Sequence, residues 1–209
     1  MKKSSLFISL FLLMFSSFLY AGKYNQILSI GDQMPTFSDL PSISGKSISS
    51  KDLTQDVVVF VNLANHCPWV KGMDADLVKL VDQFSGKSVK VVGLSINLRE
   101  DDRLDAMKEH AKKVGYNFAY VFDESQDLGR KLGATRTPEY YVFDKDRKLA
   151  YMGLLYNSPA KMNKDGSIRH INGEVTDHYV ADAIDALLNN DTPKITETRA
   201  HGCSAKYEN

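Results

Sequence analysis

The sequence has 209 residues and carries 26 basic and 26 acidic side chains, so its formal net charge is zero. Because polyanions are bound mainly through clustered Lys and Arg, a neutral chain without a basic stripe argues against a nucleic-acid partner. The length suits one domain, since typical domains have about 100–200 residues.

Residues 1–21 have the pattern of a secretory signal peptide. A basic start with Lys2 and Lys3 precedes an apolar run over 6–15, and Ala21 is a small residue at a suitable cleavage position. The run is too short for a comfortable membrane span, and no later segment approaches about 18 consecutive apolar residues. An uncleaved N-terminal anchor is the alternative. We therefore predict an exported protein, most simply in a bacterial periplasm, with no membrane span after cleavage.

The rest of the chain alternates predicted strands with amphipathic helices. A hairpin tip is predicted at 44–46, and the apolar run over 57–63 predicts a central strand covered on both faces. Behind Cys67, apolar residues recur at the spacing of one helix face; they are Val70, Met73, Leu77, Leu80, Val81 and Phe84. Gly86 is expected to end this helix.

The later elements continue this alternation. The pattern predicts strands over 89–96 and 118–122, helices over 104–114 and 128–132, a hairpin of strands over 140–143 and 149–154, and a closing helix over 180–188. This order predicts an α/β fold with a mixed central sheet and helices on both faces. Residues 155–175 are polar and longer than an ordinary connection, which indicates a functional or mobile loop. We predict one domain over 22–188 and a tail over 189–209 that carries Cys203.

Cys67 is the most informative residue of the chain. A buried strand followed by Cys67-Pro68 and a helix places the sulfur at the positive end of a helix dipole. Backbone N–H groups there favour the thiolate, which is the form that attacks disulfides and peroxides. Cys203 is the other cysteine. In an oxidising compartment two cysteines pair with each other, form mixed disulfides or hold a metal.

The order strand, Cys67, helix and then Thr137-Pro138 before a hairpin resembles the thioredoxin fold. The segments 31–37 and 141–146 resemble the redoxin group, which includes thioredoxin-like and peroxiredoxin-like proteins. More narrowly, Asn65-His66-Cys67-Pro68, Thr137-Pro138-Glu139 and a C-terminal Gly-Cys-Ser motif that contains Cys203 resemble one peroxiredoxin-like family. The resemblance implies a thioredoxin-like three-layer α/β/α fold, a cis Thr137-Pro138 bond, and a thiol oxidoreductase or peroxiredoxin-like antioxidant activity.

One departure from that family concerns the active loop. Ala64 stands where the family has its first cysteine, so no local disulfide can form. Cys67 occupies the position that resembles the peroxidatic cysteine of peroxiredoxins. The threonine and proline that accompany that cysteine are Ala64 and Phe60 here, which removes the usual hydrogen-bond network around the peroxide.

Cys203 therefore becomes a candidate partner for Cys67. If the tail folds back over the Cys67 loop, the resemblance implies a distant resolving cysteine, as C-terminal cysteines are in some peroxiredoxins. Closing so long a loop would stabilise the fold by roughly 5 kcal/mol in the chain-entropy account. A static cross-link is the alternative. We favour redox cycling because a cysteine at a helix N-terminus is poorly suited to an inert bond.

Four further residues are candidates for substrate binding. Thr137 and Pro138 would shape the groove, and the Thr137 backbone would pair with an extended partner chain by β-addition. Arg136 is a candidate for orienting an oxyanion, with a solvated loop arginine as the alternative. Trp69 either packs over the active loop or meets a partner's chain. His66 is a candidate catalytic residue that stabilises a thiolate or relays a proton, with an ordinary loop histidine as the alternative.

The predicted function is an exported thiol-based redox protein. The Cys67 thiolate would react with peroxide or a protein disulfide, Cys203 would resolve the product, and an external thiol reductant would reset the site. No organic cofactor is expected, because the sequence has no phosphate-binding glycine loop. The alternative is a non-catalytic binding module or a Zn²⁺ or Cu⁺ carrier, with His66, Cys67, His201 and Cys203 as ligands.

Overall fold

The computed structural model describes residues 22–208, so the predicted signal peptide lies outside the described residues. The strands are β1 (Leu40–Pro41), β2 (Ser47–Ile48), β3 (Val57–Leu63), β4 (Val89–Ser95), β5 (Ala119–Phe122), β6 (Arg136–Thr137), β7 (Glu139–Phe143), β8 (Leu149–Gly153), β9 (Ala160–Met162), β10 (Ile168–His170) and β11 (Cys203–Ser204). The helices are α1 (Pro68–Gln83), α2 (Leu104–Val114), α3 (Asp127–Leu132) and α4 (Tyr179–Leu188). Within the described part of the chain, no helix has the length and apolar character that crossing a membrane requires.

Five strands form the central sheet, in the order β5-β4-β3-β7-β8. The pairs β3–β4 and β4–β5 are parallel, whereas β7 is antiparallel to both β3 and β8. Strand β3 is buried along its whole length, as its unbroken apolar run predicts. Helices α1, α2 and α4 cover one face of the sheet, and α3 with the N-terminal segment covers the other. The predicted thioredoxin-like α/β/α arrangement with a mixed sheet is confirmed.

Alternation along β3 divides the core into two layers. Val57, Val59 and Val61 face the layer under α1 and α4, while Val58 and Phe60 face the opposite layer. The Phe60 ring therefore lies among core aromatics, in edge contact with two other phenylalanine rings. Phe60 fills the core on the side of the sheet away from α1, in the layer opposite to the one that contains Cys67.

The helix ends follow local signals in the sequence. Helix α1 ends at Gln83, three residues before Gly86, whereas α2 and α3 end where glycine was expected. Gly115 and Gly133 have φ values of 79° and 66°, a left-handed conformation that glycine adopts without steric cost. The predicted second and third helices are therefore confirmed at their C-terminal ends.

Segment 155–175 contains an ordered antiparallel hairpin formed by β9 and β10. The hairpin lies against α1 at Gly72, where an added Cβ would be 2.6 Å from the carbonyl oxygen of Ala160. Only a residue without a side chain permits this close approach. The segment therefore packs as a hairpin beside the N-terminal half of α1.

The tail also has a defined position. Strand β11 pairs antiparallel with β6, with Cys203 opposite Thr137 and Ser204 opposite Arg136. The Ala205 N–H continues this pairing by donating to the Thr135 carbonyl at 2.9 Å. The tail thus returns to the middle of the domain and crosses the segment that precedes Pro138.

Candidate active site

Cys67 lies in the connection between β3 and α1, directly before the helix. It is the N-cap residue of α1, with Pro68 in the first turn, where the missing proline N–H would have no helical partner. The Cys67 side chain is fully buried, and its Sγ donates to the Thr137 carbonyl oxygen at 3.2 Å. The Thr137-Pro138 bond is cis, as the resemblance implied. The predicted junction of strand, cysteine and helix thus meets the predicted Thr-Pro segment.

Cys203 lies beside Cys67 because the tail pairs with β6. The two cysteine side chains lie close enough for Cys67 to raise the pKa of the Cys203 thiol, and both are free thiols. Gly202 permits this arrangement, since an added Cβ there would lie 2.1 Å from the Thr137 oxygen. The backbone edge of Thr137, expected to receive a partner's chain, is therefore occupied by the protein's own tail.

A set of polar contacts holds the tail after Cys203. The buried Gln126 donates through Nε2 to the carbonyl oxygens of Ile96 and Lys206, at 2.7 and 2.8 Å. Its Oε1 accepts from the Glu208 N–H at 2.8 Å. Asn97 accepts from the Lys206 N–H through its Oδ1 at 3.1 Å. The domain thus binds the tail through several hydrogen bonds, and these bonds fix the position of Cys203.

Contacts of Tyr207 also hold the tail against the domain. The Tyr207 hydroxyl donates to the Ala134 carbonyl at 2.7 Å, and the Arg130 guanidinium lies 4.7 Å from the centre of the Tyr207 ring. Sequence reasoning missed Gln126, Asn97 and Tyr207, because isolated polar residues in connections resemble ordinary surface residues.

The two sulfurs differ in exposure and electrostatics. Cys67 is completely buried, whereas Cys203 is partly exposed. Burial, together with the hydrogen bond and charge of Cys67, raises the pKa of the Cys203 thiol to about 12, although Lys161 and Arg136 act in the opposite direction. Cys203 therefore keeps its proton at neutral pH.

Trp69 and Arg136 both contact elements that surround Cys203. The Trp69 ring packs edge-on against the His201 ring at a centroid distance of 4.4 Å, and the Lys161 ammonium lies 5.3 Å from the Trp69 ring centre. Arg136 donates through Nη1 to the Ser204 hydroxyl at 2.8 Å. Lys161 was missed because the polar segment 155–175 contains no motif that marks it.

His66 is held by a carboxylate that sequence reasoning also missed. Its Nδ1 lies 2.6 Å from Oδ2 of Asp102, which is completely buried, and its backbone N–H donates to the Asp102 Oδ1 at 3.3 Å. Asp102 ends a short 3₁₀ turn, Glu100–Asp102, ahead of α2. Three consecutive acidic residues at that place look like a solvated helix start, so the sequence offers no signal that one of them is buried.

The structure does not assemble the alternative metal site. The His66 ring contacts Asp102, and the His201 ring contacts Trp69, so the two imidazoles do not converge on Cys67 and Cys203. Across residues 22–208, no group of three or more His, Cys, Asp and Glu side chains is arranged to hold a metal ion.

Glu139 supports the segment before Pro138 from inside. It is buried, and its Oε2 accepts from the backbone N–H groups of Thr135 and Arg136 at 2.8 and 3.0 Å. Burial raises the pKa of the Glu139 carboxyl above its usual value. The side chain positions β6 and is buried away from water.

Comparisons with known proteins agree with this architecture. Residues 29–177 match the family model described as Redoxin. The crystal structure of an uncharacterized conserved protein from Geobacillus kaustophilus is similar, with 30% identity, a TM-score of 0.78, and coverage of 88% of this chain and 95% of that one. A hypothetical protein from Sinorhizobium meliloti 1021 has 25% identity and a TM-score of 0.77, with coverage of 87% and 96%.

A thioredoxin-family thiol:disulfide interchange protein from Chlorobium tepidum shares the fold, with 21% identity, a TM-score of 0.52, and coverage of 60% and 86%. No curated protein matches the sequence. The Redoxin model spans most of the chain, and the solved structures reproduce its fold. The chain therefore belongs to the redoxin family, within the thioredoxin-like superfamily.

Proposed function

We propose that this protein is a thiol oxidoreductase whose redox couple is Cys67 and Cys203. The observation that carries the proposal is the pairing of the tail with β6, which sets Cys203 opposite Thr137, the residue whose carbonyl accepts the Cys67 hydrogen bond. Membership of the redoxin family supports a thiol redox function. Since Ala64 removes the local cysteine, the tail supplies the second sulfur from a distance.

The reaction oxidises two thiols to one disulfide. The Cys67 thiolate attacks one sulfur of a disulfide or one oxygen of a peroxide, and a mixed disulfide or a sulfenic acid forms. The Cys203 sulfur then attacks Cys67 and expels a thiol or water, which leaves a Cys67–Cys203 bond. Two electrons and two protons pass to the oxidant, which becomes two thiols from a disulfide, an alcohol and water from an organic peroxide, or two waters from hydrogen peroxide. An external thiol reductant reverses the change.

The geometry favours a small oxidant over a protein segment. Cys67 is fully buried beneath the tail, and the Thr137 edge that an extended partner would use is already paired. A peroxide or small disulfide needs only a local opening around Cys203. A protein disulfide would have to displace β11 together with the contacts that hold the tail.

We extend the proposal to the compartment and the partners. The signal-peptide pattern of residues 1–21 supports export, in a bacterium most simply to the periplasm, where disulfide chemistry proceeds. In that compartment the protein acts as a peroxide- or disulfide-reducing antioxidant and depends on an external thiol donor.

The first test is the intact mass of reduced protein, with and without alkylation, after one equivalent of hydrogen peroxide or 2-hydroxyethyl disulfide. We expect the loss of two hydrogen atoms and a peptide that links Cys67 to Cys203. The Cys203→Ser variant should stop at a Cys67 sulfenic acid or mixed disulfide. If both thiols remain open to alkylation in denaturant after either oxidant, the proposal is wrong.

A midpoint potential separates redox cycling from a static cross-link. Structural disulfides usually have potentials below about −300 mV, whereas reducible couples lie above that value. We expect the Cys67–Cys203 couple to lie above it, as measured by equilibration with glutathione buffers. A lower potential would identify the bond as a stabilising cross-link.

A further inference from the structure

The pair formed by the partly exposed His66 and the buried Asp102 takes no direct part in disulfide formation between the two cysteines. The Asp102 carboxylate is fully buried, and both of its oxygens are used on His66, one by the ring Nδ1 and one by the backbone N–H. A buried carboxylate is costly unless it is paired and hydrogen-bonded. A buried carboxylate therefore binds the residue that directly precedes Cys67.

Hydrogen bonds around His66 fix the active loop and the turn that carries Asp102. Asn65 donates through Nδ2 to the Asp101 carbonyl at 2.7 Å, and the Tyr120 hydroxyl donates to Oδ1 of Asn65 at 3.1 Å. Ser95 donates through Oγ to the Asp102 carbonyl at 2.8 Å. The active loop and the 3₁₀ turn that carries Asp102 are thus fastened to each other at several points.

The Asp102 contact also selects one form of the neutral imidazole. Carboxylate oxygens only accept hydrogen bonds, so the hydrogen in the 2.6 Å contact lies on Nδ1. Nε2 then holds the lone pair, and the His66 side chain is 23% exposed, which gives it access to solvent protons.

Ionising Cys67 requires a proton acceptor. In the resting dithiol its hydrogen points to the Thr137 carbonyl, which cannot take a proton at neutral pH. Two other titratable groups near His66 are poor proton acceptors, because the Asp101 carboxylate is a weaker base than usual and Tyr120 stays a protonated phenol. The hydrogen bond from Arg99 lowers the pKa of Asp101, and burial with the nearby Asp102 charge raises the pKa of Tyr120.

Building on the redox function proposed above, we propose that Asp102 is a positioning residue that holds His66 as the proton carrier for Cys67. The Cys67 proton passes to Nε2 of His66, directly or through one water, and leaves a thiolate beside an imidazolium. The thiolate attacks the oxidant, and the imidazolium returns the proton to the departing thiolate or hydroxide. The buried carboxylate stabilises the imidazolium between these two steps.

The test compares Asp102→Asn with Asp101→Asn, a neighbouring exposed carboxylate of the same turn. Stopped-flow measurement of Cys67–Cys203 formation uses 2-hydroxyethyl disulfide and hydrogen peroxide as probes. We expect Asp102→Asn to slow the reaction by about 10- to 100-fold, and Asp101→Asn to change it by less than about twofold. Equal rates in folded Asp102→Asn and wild type would overturn the proposal.

Two further readouts separate proton transfer from loop structure. ¹⁵N NMR of the neutral His66 ring should place the hydrogen on Nδ1 in wild type, with that preference lost in Asp102→Asn. The slow rate of His66→Ala should recover with added imidazole. A wild-type hydrogen on Nε2, or no recovery with imidazole, contradicts the proposal.

The variant His66→Gln covers the case in which Asp102→Asn fails to fold. Its amide still donates to Asp102 but cannot carry a proton, so we expect a folded protein with a similarly reduced rate. A wild-type rate in this variant contradicts the proton-carrier role. If wild type itself forms no Cys67–Cys203 bond with either oxidant, the proposed function fails, whereas the NMR result still reports on the His66–Asp102 pair.

Discussion

Gly202 packs against the Thr137 carbonyl so closely that an added Cβ would lie 2.1 Å from the oxygen. This contact brings the tail onto the cis Thr137-Pro138 segment, and the next residue, Cys203, pairs with Thr137. The C-terminal Gly-Cys-Ser motif thus has a physical explanation. Glycine permits the approach, cysteine supplies the sulfur, and Ser204 accepts a hydrogen bond from Arg136.

The variant Gly202→Ala should separate the two cysteines. The new methyl group cannot share space with backbone atoms of Thr137, so the tail must move away from β6. We expect disulfide formation to slow by at least about tenfold and Cys67 to alkylate faster, because a shift near 1 Å can cost about 100-fold.

Gly166→Ala is the matched control for that substitution. Gly166 also has a positive φ, 84°, but an added Cβ there meets no atom within 4 Å. Its strain costs about 1–2 kcal/mol without touching the site. Similar kinetics in the two variants would mean that the contact with Thr137 does not control the cysteine pair.

The variant Gln126→Ala should loosen the tail after Cys203. It leaves the carbonyl oxygens of Ile96 and Lys206 and the N–H of Glu208 without their amide partner. We expect the free energy of tail opening to fall by about 1–3 kcal/mol, because buried groups lose their hydrogen bonds. Hydrogen exchange over 203–208 measures this, with Gln83→Ala at the end of α1 as the control. Unchanged exchange at those amides would show that other contacts hold the tail.

The raised pKa of Cys203 predicts that the reduced protein loses stability at alkaline pH. The thiol has a pKa near 9.0 in an ordinary environment and about 12 in the folded protein. Between these values the unfolded chain releases a proton that the folded chain retains, so the free energy of unfolding falls as pH rises. Below that window both forms keep the proton, and the contribution is fully present.

Urea unfolding of reduced wild type and Cys203→Ser, at about pH 8 and about pH 10, isolates this effect from other groups. We expect the stability difference between the two proteins to shift against wild type at the higher pH. In Cys67→Ala the alkylation of Cys203 should begin at lower pH, because Cys67 contributes to the raised pKa. An identical pH profile in wild type and Cys67→Ala would contradict the contact between the sulfurs.

The charges at Cys203 predict a preference among small oxidants. Lys161 and Arg136 both act on the Cys203 thiol with positive charge. Oxidised glutathione, which is anionic, should therefore react faster than the cationic cystamine at low salt, and added salt should reduce the difference. Lys161→Met should weaken the preference a few-fold, whereas Lys164→Met, in the turn between β9 and β10, should leave it unchanged. Equal rates for both disulfides at low salt would exclude electrostatic selection.

Elements with a strong local signal could be predicted from the sequence. The apolar run over 57–63 is β3, and α2 and α3 end beside Gly115 and Gly133 as their conformations require. A strand buried on both faces needs apolar residues at consecutive positions, and a left-handed helix end favours glycine. Both features can therefore be recognised from the sequence.

No pattern in the sequence indicated which residues surround the two cysteines. The buried carboxylate of Asp102 lies within a run of acidic residues, and Lys161 lies in a polar segment without a recognisable motif. Gln126, a lone polar residue in a connection, holds the tail through backbone groups. Such bonds join residues that are distant in the sequence. They also use backbone carbonyl and N–H groups, which nearly every residue has, so no pattern of side chains indicates where they form.

The sequence by itself determined that a cysteine caps a helix after a buried strand, and that a Thr-Pro segment follows in the order of a thioredoxin-like fold. Only the tertiary structure decided that Cys203 lies beside Cys67 and that Asp102 contacts the ring of His66. The physical reason is that helix caps and buried strands depend on neighbours in sequence. The cysteine pair and the His66–Asp102 pair depend on how β6, β11 and the 3₁₀ turn meet in space.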